Sequence, residues 1–309
     1  SKAEKKAKLN MGASVQLPDK FIPRNQSQAI TYLACKDPQI SLVFAAGPFG
    51  GGKTYTPLRA AFESVSEGRV SEIILIRPTT TAGQQKPGAM PGDARSKMDP
   101  YVKGGVESNV FKITNKTMKS FEAQKVLRAL TPEFERGETY DHAFIVVDEP
   151  QNLTVAQAEL LIGRIGEGSI MVFAGDIGGN QNDLRGELPG LAHLIATQGS
   201  ATRTDKVLDR AAAFIAFKPE DSAARNGILP HVARALNEPP SEYAEFMKTI
   251  NGARRDFALA QAIDGAREYA VGVLKEAANR TFARYEEQAE KAFPQLFSAN
   301  VLPFQHQKL

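Results

Sequence analysis

An α/β fold with a mostly parallel sheet flanked by helices is what this sequence predicts, and three observations carry the prediction. From Phe21 to about Ala235, short apolar runs alternate with helical or loop segments. That is the pattern of strands covered on both faces by crossover helices. One run, Ser41–Ala46, leads into a glycine-rich loop and then an amphipathic stretch. Two more, Ala143–Val147 and Ile170–Ala174, end in acids, and open parallel sheets collect ligands where their strands end.

Taken in order, residues 1–19 read as a basic flexible tail. Lys2, Lys5, Lys6 and Lys8 are followed by no apolar stretch, so a secretory signal is not expected. An α/β domain is expected over 20–236 and a helical extension over 237–309. Ser41–Ala46 is short and apolar, hence a buried strand. After the loop, Leu58, Ala61, Phe62 and Val65 fall at helical spacing. Pro57 sits within the first turn, where a missing N–H is tolerated. Further strands are expected at Glu72–Ile76, Ala143–Val147, Ile170–Ala174 and Phe214–Phe217. Thr154-Val155-Ala156-Gln157 has the form of a capping box. Val155, Ala158, Ile162 and Ile165 then repeat at helical spacing as far as Gly166. Beyond Glu238-Pro239-Pro240 the chain turns helical. Tyr243, Phe246, Met247 and Ile250 form one stripe, and Arg254 to Phe293 is a long charged helix weakened at Gly265 and Gly272.

Composition sets bounds. The 309 residues, 42% of them hydrophobic, suffice for one large α/β domain with an appendage. A net charge of +3 does not by itself establish a nucleic-acid partner. The lone Cys35 excludes an intramolecular disulfide and fits a reducing, cytoplasmic setting. The longest apolar runs are far too short to span a bilayer, so no membrane is expected. His142, His193, His231 and His306 do not cluster, and no zinc spacing exists, which leaves Mg²⁺ as the expected metal.

Gly47-Pro48-Phe49-Gly50-Gly51-Gly52-Lys53-Thr54 fits Gly-x4-Gly-Lys-Thr, the phosphate-binding loop of nucleoside triphosphatases. Glycines let backbone N–H groups turn toward the β-phosphate. Lys53 is placed for the β- and γ-phosphates and the Thr54 hydroxyl for Mg²⁺. With Tyr55, which opens the helix, these are the expected nucleotide-binding residues. The anion would lie at the helix N-terminus, where unpaired N–H groups and the helix dipole favour it. Ala143–Val147 delivers Asp148-Glu149, a Walker B arrangement: Asp148 to hold Mg²⁺ through water, Glu149 as general base. Ile170–Ala174 leads into Gly175-Asp176, which brings a third strand end to the same place.

The motifs go further than a generic phosphate loop. Arg77-Pro78, Gly83, Met90-Pro91-Gly92-Asp93 and Lys97-Met98-Asp99-Pro100-Tyr101 follow in order, then Arg136-Gly137-x-Thr139, Asp148-Glu149-x-Gln151-Asn152 and Arg164-Ile165-Gly166. On these residues the stretch from about Phe21 to Ala235 resembles the PhoH family of predicted ATPases, itself similar to the first RecA-like lobe of superfamily 1 helicases. The sequence departs from the family pattern at Pro150, where Ala is usual. The segment Gly175 to Leu184 is two residues longer than the family's, and Asp221 to Arg225 is one longer. The resemblance implies ATP and Mg²⁺ as ligands, Asp176 and Gln181 as γ-phosphate sensors, and ring-forming, often hexameric, assembly. It also implies helicase-like work on RNA or single-stranded DNA.

Four readings stay open on the sequence. Gln26, upstream of the loop strand, is either an adenine-reading amide or an ordinary loop amide. A transition-state arginine is expected from Arg136, Arg164 or Arg225 of a neighbouring subunit, with Arg77 a weaker candidate, because no second lobe follows. Arg136 and Arg164 could instead face their own nucleotide, and any of these is otherwise a surface arginine. The late helices either join subunits or cap apolar surface of their own chain. Finally, Lys103, Lys112, Lys116, Lys119, Lys125 and Arg128 with Phe111 and Phe121 read either as a pore loop for single strands or as a solvated hairpin with two core phenylalanines. Without a nucleic-acid partner, the chain would be an ATP-gated scaffold.

Overall fold

The strands form because their residues can be buried on both faces. The computed structural model describes residues 15–78, 105–132, 137–177, 184, 186–224 and 257–297. Among these, β1 (Leu42–Ala46), β2 (Glu72–Ile76), β3 (Leu127–Leu130), β4 (Ala143–Asp148), β5 (Ile170–Gly175) and β6 (Ala212–Ala216) form one sheet. Its order is β3-β2-β4-β5-β1-β6, and every pair is parallel. Every residue of β1, β4 and β5 is buried, which is why they read as continuous apolar runs rather than alternating ones. Phe44 stacks between Phe173 and Phe214 of its two neighbouring strands, at 5.3 and 4.8 Å between ring centres.

Helices α1 (Gln26–Lys36), α2 (Tyr55–Ser66), α3 (Glu107–Thr114) and α4 (Met118–Ala123) contribute to the core on one face. α5 (Val155–Ile162) and α6 (Gly190–Ala201) contribute to the core on the other, while the short α7 (Lys206–Ala211) precedes β6. The capping box of α5 is formed in both directions: the Gln157 N–H donates to the Thr154 hydroxyl at 3.2 Å, and the Thr154 N–H donates to Gln157 Oε1 at 3.0 Å. α2 carries the expected apolar positions but is buried on nearly all sides. Pro57, its third residue, falls where the N–H has no intrahelical partner.

The last helix, α8 (Phe257–Ala292), belongs to the same folding unit. It packs against α6, β6 and α1. Ala270, Leu274 and Ala277 enter one core, while Tyr285 and Ala289 enter the other, so the helix passes around the β6 edge of the sheet. There the Thr281 hydroxyl accepts the Phe214 N–H at 2.9 Å, and Arg284 Nη1 donates to the Ala212 carbonyl at 3.3 Å. The Tyr285 hydroxyl donates to Asp37 at 2.8 Å and ties the helix to the end of α1. This packing is that of a cap over its own chain. Gly265 and Gly272 do not break the helix; a Cβ at either would meet open space. No helix of the described residues is long and apolar enough to cross a membrane.

Several expectations are corrected here. Residues 105–130 form α3, α4 and β3 rather than a hairpin, and only Phe121 is core; Phe111 is 53% exposed. β3 escaped notice because it is a four-residue edge strand interrupted by Arg128. β6 begins at Ala212, two residues before the expected start, since Ala212 and Ala213 pair with Leu42 and Val43. α5 stops at Ile162 instead of continuing to Gly166. Ile165 makes an isolated parallel bridge to Tyr140, and Gly166 lies so close to the Tyr140 backbone that no Cβ would fit. The stripe over 243–250 lies outside the described residues.

Thr281→Val keeps shape but removes the acceptor of a buried edge-strand N–H. It is expected to cost about 1–3 kcal/mol, measured by urea unfolding.

Candidate nucleotide site

The loop after β1 is shaped by what packs behind it. Gly47 has φ +146°, and a Cβ there would lie 2.2 Å from the Phe217 carbonyl oxygen. Gly52 has φ +88°, and its Cβ would strike the Gln28 amide at 2.5 Å. Both positions therefore require glycine twice over, through backbone conformation and through space. Phe217, just past β6, and Gln28 on α1 form the wall behind the loop. Pro48, Phe49, Gly50, Lys53, Thr54 and Tyr55 remain partly accessible on the open side.

Gln28 is a site residue that sequence reasoning missed. Its Oε1 accepts the Arg24 N–H at 2.9 Å and its Nε2 donates to the Gly51 carbonyl at 2.8 Å. Asn25, the cap of α1, accepts the Gln28 N–H at 2.7 Å and donates to the Asp221 carbonyl at 3.1 Å. The signal was present as Asn25-x-x-Gln28, a capping-box spacing. Gln26 points elsewhere: its amide donates to the Leu296 carbonyl at 3.0 Å. Asp221 is the second addition. It is half-buried beside the loop, accepts Ser27 Oγ and the Lys218 N–H at 2.8 Å each, and desolvation pushes its carboxyl up.

Strands β1 and β4 bring the two main motifs together across the end of β5. Thr54 Oγ1 donates to Asp148 Oδ1 at 2.7 Å. Lys53 donates to the Pro48 carbonyl, and the charges of Asp176, Glu149, Asp148 and Asp221 act on it. Burial pulls the Lys53 ammonium down from its usual range, and those four carboxylates oppose that pull. Arg77, at the end of β2, places Nη1 3.6 Å from Asp148 Oδ2. So this arginine, the weakest candidate on sequence, belongs to the site of its own chain.

Asp148 is 4% exposed. Burial first, then the neighbouring Glu149 charge, push its carboxyl up to about 6; the Thr54 hydrogen bond, Arg77 and Lys53 pull the other way. Glu149 follows in the left-handed region, φ 54° and ψ 44°, an uncommon conformation for a non-glycine residue. Asp176 is buried at the end of β5, 5% exposed. Gln151 lies between these acids: Nε2 donates to Glu149 Oε2 at 2.5 Å, and Oε1 accepts the Asp176 N–H at 3.1 Å.

Among the described residues, no three or more His, Cys, Asp or Glu side chains form a metal cage. A hydroxyl and a carboxylate in contact are nonetheless hard oxygen donors suited to Mg²⁺, which takes one or two protein ligands and completes its shell with phosphates and water. Arg164 is not brought to this site. Its carbonyl accepts the Tyr140 N–H at 2.9 Å, ahead of the first residue of β4 and so toward the opposite end of the strands from the loop. Gln181, Arg136 and Arg225 lie outside the described residues.

Fold and site together define an α/β protein of the P-loop NTPase-like class. The family model for PhoH-like protein matches residues 20–235. A PhoH-like protein of Bacillus subtilis is 35% identical over 152 residues, covering 49% of this chain and 47% of the relative. One of Mycobacterium leprae is 32% identical over 160 residues, 50% of this chain and 46% of the relative. Protein PhoH of Escherichia coli is 32% identical over 175 residues, 56% and 48%. The chain thus spans about half the length of the relatives it matches. It belongs to the PhoH-like protein family.

The raised Asp148 pKa makes stability depend on pH. The folded carboxyl titrates near 6 against an ordinary value of 3.8, so the folded state holds the proton more tightly. Stability therefore falls as pH rises through that window. Asp148→Asn is expected to stabilise the protein without nucleotide by about 1–3 kcal/mol at about pH 8, a gain shrinking toward zero near about pH 4. Urea denaturation at the two pH values checks it.

Proposed function

We propose that this chain is an Mg²⁺-dependent ATPase that works as a ring oligomer on RNA or single-stranded DNA. The observation that carries the ATPase reading is the 2.7 Å contact between Thr54 Oγ1 and Asp148 Oδ1, with Lys53 set among carboxylates beside it. In such a site the P-loop amides and Lys53 bind the phosphates and neutralise charge as it develops. A triphosphate beside Lys53 favours its ammonium form, against the effect of burial. Thr54 and Asp148 would hold Mg²⁺, which when bound offsets the charge of the phosphate oxygens. Glu149 accepts the proton of the attacking water.

The ring reading rests on family resemblance; in a ring, Arg164, whose main chain lies beside the start of β4, is a candidate for a neighbour's site rather than its own. The nucleic-acid reading rests on α3 and α4. Lys112, Lys116, Lys119 and Lys125 are exposed there with Phe111, cations for phosphates beside an aromatic face for a base. Arg128 is withdrawn from that group by Glu72 and Glu138, to which it is paired at 2.8 and 3.2 Å.

Lys53→Ala is expected to abolish ATP turnover. Glu149→Gln should retain ATP while slowing hydrolysis by about 10²–10⁴-fold, and turnover at the parent rate would remove Glu149 as the base. Oligonucleotides should stimulate the parent and bind in a salt-sensitive way, both effects weakening in a Lys112→Glu, Lys116→Glu variant. Hydrolysis without either effect would identify an ATP-gated scaffold instead. Mass measurement with and without ATP tests the ring.

A further inference from the structure

Gln151 has no part in the chemistry described so far, yet it is 1% exposed and joined at both ends of its amide to the acids of the site. It sits in a short 3-10 turn, Pro150–Asn152, directly after the left-handed Glu149. Its Nε2–H donates to the Glu149 carboxylate, and its Oε1 accepts the backbone N–H of Asp176. Gly175 makes room for this bridge, since a Cβ there would lie 2.4 Å from Gln151 Oε1 and 2.6 Å from Pro150 Cδ. A planar amide cannot satisfy a carboxylate at one end and a main-chain N–H at the other unless both are fixed relative to each other.

We propose that Gln151 is a positioning residue for hydrolysis: it holds the Glu149 carboxylate and couples it to the end of β5, where Asp176 stands. This rests on the ATPase reading above. Glu149 in a left-handed turn, next to Lys53 and two other acids, has several directions in which its carboxylate could swing. The bond from Gln151 selects one of them. Because the other end of the amide is the Asp176 N–H, a shift of the β5 end produced by a bound γ-phosphate is carried to the base through one side chain.

The test compares Gln151→Leu and Gln151→Glu with the parent, using MgATP under single- and multiple-turnover conditions and a slowly hydrolysed ATP analogue for binding. Both variants are expected to keep analogue affinity and KM within about threefold while kcat falls about ten- to a hundredfold. Gln151→Glu, which puts a second carboxylate against Glu149, should be the slower of the two. The Gln151→Leu, Glu149→Gln double variant should be no slower than Glu149→Gln alone, because the two side chains act as one unit. Parent-like kcat in a folded Gln151→Leu protein overturns the proposal. So does a double variant slower than Glu149→Gln by the full Gln151→Leu factor, which marks an independent structural effect. If Gln151→Leu does not fold, Gln151→Glu alone decides, by the same kcat loss at preserved affinity. A parent that hydrolyses no ATP removes the ATPase reading itself and this inference with it, an outcome distinct from a fast variant of an active parent.

Discussion

The hydrogen bond from Thr54 to Asp148 spans two strand spacings. β1 and β4 are not neighbours; β5 lies between them, so their ends stand about 10 Å apart. β5 ends on Gly175, and the space a Cβ would need is taken by Pro150 and Gln151. The order of the sheet, the glycine at one strand end and the tight turn after Glu149 are therefore parts of one constraint. Alter any of them and lysine, hydroxyl and acids no longer face a common point.

Such a point is unfavourable for the fold taken alone. A desolvated lysine, a carboxyl displaced toward neutral pH and a non-glycine residue in left-handed backbone are brought together where β1 and β4 end. The surrounding sheet supports them, with strands buried along their full length and aromatic rings stacked across three of them. Destabilising groups gathered where chemistry is to happen are the usual signature of a site shaped for a charged ligand.

Much of this was legible in the residues. The Gly-rich loop, Asp148-Glu149 and Asp176 each follow an apolar run, and strand-end placement put them together without coordinates. What stayed hidden has physical reasons. β3 is short, lies at an edge and carries Arg128, so it lacks the apolar continuity that marks a buried strand. Gln28 is separated from Gln26 only by the Asn25-x-x-Gln28 spacing, because side-chain direction at a helix start depends on which residue caps it. Asn25 takes the cap, turning Gln28 inward and Gln26 toward Leu296. The role of α8 was open because a charged helix of small residues does not say what it will lie against. Packing, set by Ala270, Leu274, Ala277, Tyr285 and Ala289, decided that.

The bonds from Thr281 and Arg284 to β6 bear on how copies of this chain can meet. An outer strand with free amides is an invitation to add another strand, from a neighbour or from an aggregate. Here an amide and a carbonyl at that margin are already engaged by a helix of the same chain. At the far margin, β3 is only four residues long and its arginine is held between two glutamates. Among the described residues, addition of a further strand is therefore disfavoured at the β6 margin by bonds already made and at the β3 margin by a short, charged edge.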